Sequence, residues 1–409
     1  SDPSEGGRRS LTRWLWVVAA CAATHRPAAA AMHALKGRPD DETTFRYAAV
    51  DAFDRGACRV QNWIDEPGPF PPEPGRYHVF VNYGCGWCHQ LLLVLRLRGL
   101  HGAGGVGVTH SGCRRVGQRG TAEYKGFLLL PEADTTGMLR FTGMADVYNA
   151  GPCTATGPGE ASRGVVGGYG TEQLTVPVLF DVASRTVVSN DPAQMLLMLD
   201  FWADRLRGPG GVDVLGGRSL YPEALRDEIE MVNATVYPGV NNGVYCCWFT
   251  KDEHSPAFQE GFGLVQRALT WLNARLAEKT YLCGDHVSLA DVRAFPHLYR
   301  FDCIYYQLML REKGLRIFSG DEPLPHLARW LRDTMLGPGA EHSAAVRESC
   351  DLQVATRFYF SSLPSEEADA LYDRRNAEAS GIFPSREEWV AKRQKEGFIE
   401  PEQVTGHNG

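Results

Sequence analysis

Residues 77–97 have the sequence YHVFVNYGCGWCHQLLLVLRL, in which a β-prone run gives way to a long apolar run. The first run follows a breaker cluster at residues 67–75 and predicts a buried strand. The second run continues without a breaker until Gly99, which predicts a helix that a glycine in the left-handed conformation closes. The turn between strand and helix carries Cys85 and Cys88.

The two cysteines form a C-x-x-C motif at the predicted start of this helix. Unsatisfied backbone N–H groups and the positive end of the helix dipole stabilise a thiolate there and lower the pKa of the first cysteine, Cys85. Cys88 lies three residues further on the same helix face, close enough to Cys85 for a disulfide. This order of strand, motif and helix favours a redox-active thiol in a thioredoxin-like domain.

Three other interpretations of the motif are open. Residues 85–89 also fit the C-x-x-C-H pattern of haem attachment, which usually occurs in a helical protein with a distal Met or His ligand. A zinc site needs a second cysteine or histidine pair at ligand spacing, and the sequence has no second C-x-x-C, so we predict no metal site. The third interpretation takes both thiols as inert core residues.

A second β-prone run, residues 175–181, contains Pro177, which normally restricts a strand to the edge of a sheet. In a thioredoxin-like fold the peptide bond before Pro177 is expected in cis. It then presents the backbone of Val176 to an extended peptide substrate beside the thiol.

Residues 186–188 are expected to complete a hairpin with that run. Asn190 or Asp191 then caps a helix whose first residue is Pro192. A helix N-terminus at this place can hold a carboxylate of a substrate.

The rest of the chain divides by composition. A Gly-rich joint precedes a long amphipathic helix that begins at Ser255–Pro256 and a second helix with a capping box at residues 288–291; a further helix is predicted at 327–335. The predicted order is a segment 1–45, an N-terminal arm 46–76, a thioredoxin-like domain 77–207 with a surface insertion at 101–172, a linker 208–218, a helical domain 219–364 and a charged tail 365–409.

Composition excludes several classes of protein. The chain has 409 residues, a net charge of -7 and 44% hydrophobic residues, which are globular proportions without the concentrated basic face of a nucleic-acid binder. No apolar run approaches the ~18 residues of a membrane span. The 11 cysteines are too dilute for a disulfide scaffold and favour a reducing compartment.

Residues 1–45 combine basic residues, a short apolar core and small residues, a pattern typical of targeting segments. We interpret this segment as an organellar address, chloroplast before mitochondrion. If it is instead a docking arm for a partner, a cytoplasmic location follows.

Several ordered blocks resemble the glutathionyl-hydroquinone reductases, the xi class of glutathione transferases, over roughly residues 58 to 362. The matching blocks are residues 61–64, 74–78, 85–89, 175–179, 241–245, 284–285, 290–291 and 300–302. The resemblance implies an α/β thioredoxin-like domain followed by the all-α glutathione-transferase bundle, with glutathione as cosubstrate.

The resemblance also implies a thiol mechanism. Cys85 attacks the sulfur of a glutathionylated quinol or a mixed disulfide and keeps the glutathione, which a second glutathione removes. Tyr245 and Tyr305 match family tyrosines that contact the quinol oxygens. The alternative interpretation is that both tyrosines are ordinary residues of the core.

The implied glutathione site includes Trp87, Val176, Pro177, Asn190 and Asp191. The backbone of Val176 pairs with the cysteine of glutathione, and the turn at Asn190 and Asp191 receives its γ-glutamyl end.

The sequence departs from the family pattern in the motif itself. The family has Cys-Pro-Trp-Ala-His-Arg, whereas this chain has Gly86 for Pro, Cys88 for Ala and Gln90 for Arg. A second thiol can resolve the mixed disulfide internally. After Asp191 the chain has Pro192 where the family has Ser, which removes a hydroxyl that would bind the γ-glutamyl carboxylate.

A second hypothesis follows from these departures. The chain is then a catalytically weakened scaffold subunit of a larger organellar assembly, with the N-terminal arm, residues 101–172 and the charged tail as contact surfaces. Independently of this hypothesis, the expected protein partner is a second copy of the chain or a larger protein assembly.

Overall fold

The computed structural model describes residues 60–116, 126–129, 141–151, 174–250, 252–319, 321, 323–361 and 363–378, together with 383, 385, 387, 388 and 391. The predicted targeting segment 1–45 and most of the predicted tail lie outside the described residues. Among the described helices, none is both long and apolar enough to cross a membrane.

A mixed sheet underlies the first half of the described chain. Its strands are β1 (Tyr77–Asn82), β2 (Gly107–Val116), β3 (Gly126–Leu129), β4 (Val178–Asp181) and β5 (Thr186–Ser189). Their order is β3-β2-β1-β4-β5, with β2 parallel to β1 and the other neighbours antiparallel. All six residues of β1 are buried, as expected for a central strand.

The helix that follows β1 forms as predicted. This helix, α1 (Gly86–Leu97), begins directly after Cys85 and ends at Arg98. Gly99 follows with φ +66, and the N–H of Leu100 returns to the carbonyl of Leu95 at 2.8 Å. A glycine is required here because the left-handed conformation strains other residues and a Cβ would overlap the backbone of Val212.

The described part of residues 101–172, the predicted insertion, contributes two strands and a helix to the first domain. Strands β2 and β3 and a short helix, α2 (Met144–Tyr148), belong to the domain, and β2 pairs with β1 along the register His78↔Gly107 to Asn82↔Ser111. Only residues 106–108 of the sequence predict a strand here, because the rest of β2 is polar. Its polar groups find partners on β1: Thr109 Oγ1 lies 2.8 Å from His78 Nε2, and Asn82 donates to Ser111 Oγ at 2.9 Å.

The predicted hairpin and the helix after it are confirmed. β4 pairs with β5, and α3 (Pro192–Phe201) follows with Pro192 in its first turn. Asp191, rather than Asn190, is the N-cap, because its Oδ1 accepts the N–H of Ala193 at 3.0 Å. A short helix, α4 (Ala203–Leu206), completes this domain.

The linker is tied to the end of α1. The N–H of Val214 donates to the carbonyl of Leu97 at 3.1 Å, and Arg207 donates to the carbonyl of Arg98 and to Asp213 at 3.1 and 3.0 Å. Hydrogen bonds therefore hold the linker 208–218 against the end of α1, although most of its residues are exposed.

The second domain is helical. Its helices are α5 (Arg226–Val236), α6 (Gly243–Phe249), α7 (Pro256–Glu278), α8 (Leu289–Arg300), α9 (Pro325–Arg329), α10 (Ser343–Ser349), α11 (Leu352–Tyr359) and α12 (Ser365–Glu378). A 3-10 turn (Glu223–Leu225) precedes α5, and π-helical turns follow α5, α8 and α9 at Tyr237–Asn241, Phe301–Met309 and Trp330–Met335.

The predicted helix starts in this domain are confirmed. Ser255 caps α7 by accepting the N–H of Phe258 at 3.2 Å, and Ser288 and Asp291 form the capping box of α8. The predicted helix 327–335 is made of α9 and the π-helical turn after it.

The first residues of the predicted charged tail, 365–378, form helix α12. α12 packs on the bundle through Ala368 and Tyr372, each 1% exposed, and Asp369 accepts two hydrogen bonds from Arg357 at 2.8 and 2.6 Å. The sequence conceals this because α12 is rich in charge and its apolar face is narrow.

Candidate functional site

Cys85 stands where the sequence predicts it, at the N-terminus of α1. It is the N-cap residue, with φ -80 and ψ 120, and it is partly exposed whereas Cys88 is buried. Its Sγ accepts the backbone N–H of Cys88 at 3.4 Å and lies 3.9 Å from the carbonyl oxygen of Val176. A helix N-terminus that donates N–H groups to a sulfur atom is suited to hold a thiolate.

The turn before Cys85 is fixed by Asn82, the last residue of β1. Its Oδ1 accepts the N–H of Gly84 at 2.8 Å, and its carbonyl accepts the N–H of Cys85 at 3.1 Å. Its Nδ2 reaches β2 at Ser111. Nothing in the sequence singled out Asn82, although an Asx turn after a strand is a local signal that could have found it.

The segment before β4 brings its backbone to the same place. The register Phe80↔Val178 continues toward the turn, so that Val176 lies beside Cys85, and the Val176–Pro177 peptide is cis as predicted. The hydroxyl of Tyr148 on α2 donates to the carbonyl of Thr175 at 3.1 Å and helps to hold this segment.

Two glycines allow the helical domain to approach Cys85 on both sides. A Cβ on Gly84 would overlap the ring of Phe358, and a Cβ on Gly86 would lie 2.7 Å from the ring of His297. His297 Nδ1 lies 2.7 Å from Asn241 Nδ2, an amide donor, so that Nδ1 accepts and Nε2 carries the proton of the neutral ring. No motif in the sequence points to Phe358 or His297.

Three tyrosines of the helical domain gather near the cysteine. Tyr245 and Tyr359 share a hydrogen bond of 2.7 Å between their hydroxyl groups, and the ring of Tyr305 lies 6.0 Å from both rings. The hydroxyl of Tyr305 is buried and has no hydrogen-bond partner in the described structure. Tyr359, on α11, was missed because its helix gave no motif.

Burial keeps two of these tyrosines protonated. It raises the pKa of both Tyr305 and Tyr359 well above the ordinary value, and the neighbouring Cys85 contributes in the same direction. Both hydroxyls are therefore hydrogen-bond donors at neutral pH.

Trp87 belongs to this aromatic group. Its ring lies 5.4 Å from that of Tyr245 and 4.7 Å, edge-on, from that of His297. Phe249 stacks on Tyr245 at 6.4 Å and is 49% exposed, so that the group reaches the surface. The ring of Trp87 therefore faces the helical domain. Its predicted contact with glutathione stays a prediction.

A buried cation lies behind the motif. Arg300 donates to His89 Nδ1 at 2.6 Å and to the carbonyls of Pro296 and Tyr83 at 2.9 and 3.1 Å, all of them neutral acceptors. Within the described part of the chain no carboxylate pairs with Arg300. Burial raises the pKa of the Cys88 thiol well above its ordinary value, Cys85 adds to this, and the charge of Arg300 opposes it.

Asn190 and Asp191 are occupied by the protein itself. Asn190 Oδ1 accepts the N–H of Val60 at 3.1 Å, and its Nδ2 donates to Tyr148. Asp191 Oδ2 accepts from Gln61 at 3.1 Å while its other oxygen caps α3. Both side chains are buried, and their predicted contact with glutathione stays a prediction.

A metal centre has no support in this geometry. Among the described residues, no three side chains of His, Cys, Asp or Glu are arranged to hold a metal ion.

Comparisons with known proteins agree with this arrangement. The Glutathione S-transferase, C-terminal domain family matches residues 255–333. The glutathione-S-transferase Xi of Phanerochaete chrysosporium superposes with a TM-score of 0.61 at 29% identity, covering 75% of this chain and 92% of that one.

The chain has the fold of the xi-class glutathione transferases.

Curated relatives extend this similarity. The glutathionyl-hydroquinone reductase PcpF of Sphingobium chlorophenolicum is 29% identical over 296 residues, 72% of this chain and 81% of PcpF. The glutathione-bound structure of YqjG from Escherichia coli covers 80% of this chain and 92% of YqjG, with a TM-score of 0.56 at 25% identity. The predicted resemblance to the xi class and to these reductases is confirmed.

In this xi-class fold the two domains contribute different groups to the site. The thioredoxin-like domain supplies Cys85 and the backbone of Val176, and the helical domain supplies Tyr245, Tyr305 and Tyr359. The site therefore exists only where the domains meet.

Proposed function

We propose that the chain is a glutathione-dependent thiol oxidoreductase that removes glutathione from glutathionylated quinols or mixed disulfides, with Cys85 as nucleophile. One observation carries the proposal: the partly exposed Cys85 Sγ accepts the N–H of Cys88 at the start of α1, beside the carbonyl of Val176. The similarity to PcpF, whose name is glutathionyl-hydroquinone reductase, supports the substrate class.

The reaction with a quinol conjugate needs two displacements. The Cys85 thiolate attacks the glutathione sulfur, an S–S bond forms, the bond between sulfur and the aromatic carbon breaks, and that carbon takes up a proton. A second glutathione thiolate then attacks the mixed disulfide, releasing oxidised glutathione and the Cys85 thiolate. The aromatic carbon is reduced, and the two glutathione sulfurs are oxidised.

The tyrosines are suited to hold the aromatic part of such a substrate. The hydroxyl of Tyr305 is buried and forms no hydrogen bond in the described structure, and an unsatisfied donor of this kind favours a ligand oxygen. Tyr245 and Tyr359 add a second pair of hydroxyls beside it. The half-exposed Phe249 offers a flat apolar surface at the edge of the group.

The glutathione part fits the other side of the cysteine. The backbone of Val176, before β4, can pair with an extended peptide as a strand would. The structure of YqjG, a glutathione transferase homolog, contains glutathione.

Single-turnover reduction of glutathionyl-menadiol tests the proposal. The wild-type chain should release menadiol and convert the Cys85 thiol to a disulfide, and the Cys85→Ala variant should release no menadiol. Cys283→Ala is the matched control, because Cys283 is a buried thiol of the helical domain, where Arg275 lies beside it. Equal activity of the wild-type and Cys85→Ala chains would contradict the proposal.

The scaffold hypothesis has one observation in its favour. The side chains of Asn190 and Asp191, predicted to hold glutathione, are buried and bonded to Val60, Gln61 and α3. A scaffold subunit of an organellar assembly would neither bind to glutathione-agarose nor reduce the quinol conjugate, whereas the proposed enzyme does both.

A further inference from the structure

We propose that Cys88 is a resolving thiol, which attacks the sulfur of Cys85 once Cys85 carries a substrate thiol as a mixed disulfide. An intramolecular Cys85–Cys88 disulfide forms, and the bound thiol leaves. This inference rests on the proposed role of Cys85 as nucleophile. A resolving thiol adds a second activity, the reduction of disulfides by a dithiol reaction in which both cysteines take part.

The positions of the two residues on α1 favour this bond. Cys85 is the N-cap and Cys88 the third residue of the helix, and the backbone N–H of Cys88 already donates to Cys85 Sγ at 3.4 Å. Residues at this spacing at a helix start have Cα atoms within the range that a disulfide spans.

Burial restricts Cys88 to this one partner. Its side chain is 0% exposed, whereas Cys85 is partly exposed, so that an external disulfide meets Cys85 first. The raised pKa of Cys88 keeps it protonated in the resting state. The cation of Arg300, which opposes that rise, favours the Cys88 thiolate during the attack.

The electron balance of the step is complete. The Cys88 sulfur forms a bond to the Cys85 sulfur, the bond between Cys85 and glutathione breaks, and the proton of Cys88 passes to the departing glutathione thiolate. The Cys88 sulfur is oxidised, the glutathione sulfur is reduced, and the Cys85 sulfur passes from one disulfide to another. Two further glutathione molecules restore the dithiol and leave as oxidised glutathione.

Limited oxidation tests the inference. The reduced full-length chain is exposed to one equivalent of oxidised glutathione, quenched with acid and examined by intact mass and peptide mapping. The wild-type chain should contain the Cys85–Cys88 disulfide without bound glutathione. The Cys88→Ala variant should keep one glutathione on Cys85, and the Cys247→Ala control should behave as wild type, because Cys247 is also buried but lies on α6.

The outcomes separate this inference from the proposed function. If the wild-type and Cys88→Ala chains accumulate the same Cys85–glutathione adduct, the resolving role is wrong and the nucleophilic role of Cys85 stands. If no chain is modified at Cys85, both proposals are overturned. A Cys88→Ser variant, which keeps the size of the side chain, repeats the test should the alanine variant not fold.

Discussion

At the scale of the residue, one departure of the motif from the family pattern, Gly86, leaves space for a side chain of the helical domain. The ring of His297 occupies the space that a Cβ on Gly86 would fill, and the ring of Phe358 does the same at Gly84. The side chain of His297 is held by Asn241 and by the edge of Trp87, so it has little freedom to move. A glycine at residue 86 and a histidine at residue 297 therefore fit each other.

We expect the Gly86→Ala variant to be less stable than the wild-type chain by about 1–3 kcal/mol, since the added methyl overpacks a buried ring. The intrinsic helix propensity of alanine acts in the opposite direction, by about 1 kcal/mol or less. Denaturant unfolding gives the difference in the free energy of unfolding.

Two further variants control that measurement. A Cβ on Gly339 meets nothing within 4 Å, so Gly339→Ala should leave stability nearly unchanged. In a chain that carries His297→Ala, adding Gly86→Ala should lower the free energy of unfolding by less than it does in the wild-type chain. An additive double variant would mean that the two side chains do not compete for this space.

At the scale of the element, two side chains at the N-terminus of α3 bind three groups: the first N–H groups of the helix, the side chain of Gln61 and the backbone of Val60. Asp191 caps the helix with Oδ1 and binds Gln61 with Oδ2, and Asn190 holds the backbone of Val60. The chain before the sheet is thereby fixed against β5, where Gln61 also forms a bridge with Ser189.

We expect Asp191→Ala to destabilise the chain by roughly 1–2 kcal/mol, because the cap of α3 is lost. Asp191→Asn retains an oxygen for the cap and should stay closer to the wild-type stability. Thermal unfolding of the three chains measures both differences. If the alanine variant unfolds at the wild-type temperature, the cap contributes nothing in solution.

At the scale of the whole molecule, the buried carboxyl group of Asp302 joins two segments of the helical domain. Asp302 accepts the N–H groups of Ile317 and Phe318 at 3.0 and 2.7 Å and so fixes the segment after the long π-helical turn. Burial raises the pKa of Asp302 from 3.8 to about 6, an effect that these hydrogen bonds only partly offset.

The direction of this shift gives a pH dependence. The folded state holds the proton of Asp302 more tightly than the unfolded state does, so this group favours folding at low pH and that contribution is lost as the pH rises through about 6. Asp302→Asn cannot titrate and keeps one acceptor. We expect the stability of the variant relative to the wild-type chain to increase between pH 4.5 and 7.5, as measured by urea unfolding at several pH values. A difference independent of pH would contradict the raised pKa.

Local patterns were enough to predict the cysteine turn and the helix starts. The change from a β-prone run to an apolar run, the spacing of Cys85 and Cys88 and the capping residues at Ser255 and Ser288 all act within a few residues along the chain. Contacts of this kind join residues that are neighbours in the sequence, so a short stretch of sequence is enough to predict them. The two-domain order of the fold followed from the same patterns.

Only the tertiary structure decided what surrounds Cys85. Residues 107–112 of β2 are buried because β1 supplies hydrogen-bond partners for their polar groups. Tyr359, His297 and Arg300 reach the motif from residues more than 200 positions away in sequence. No local pattern encodes such contacts, because each depends on how the two domains pack. The amino-acid order by itself determined where the nucleophile stands on its helix, and packing determined which rings and which charge face it.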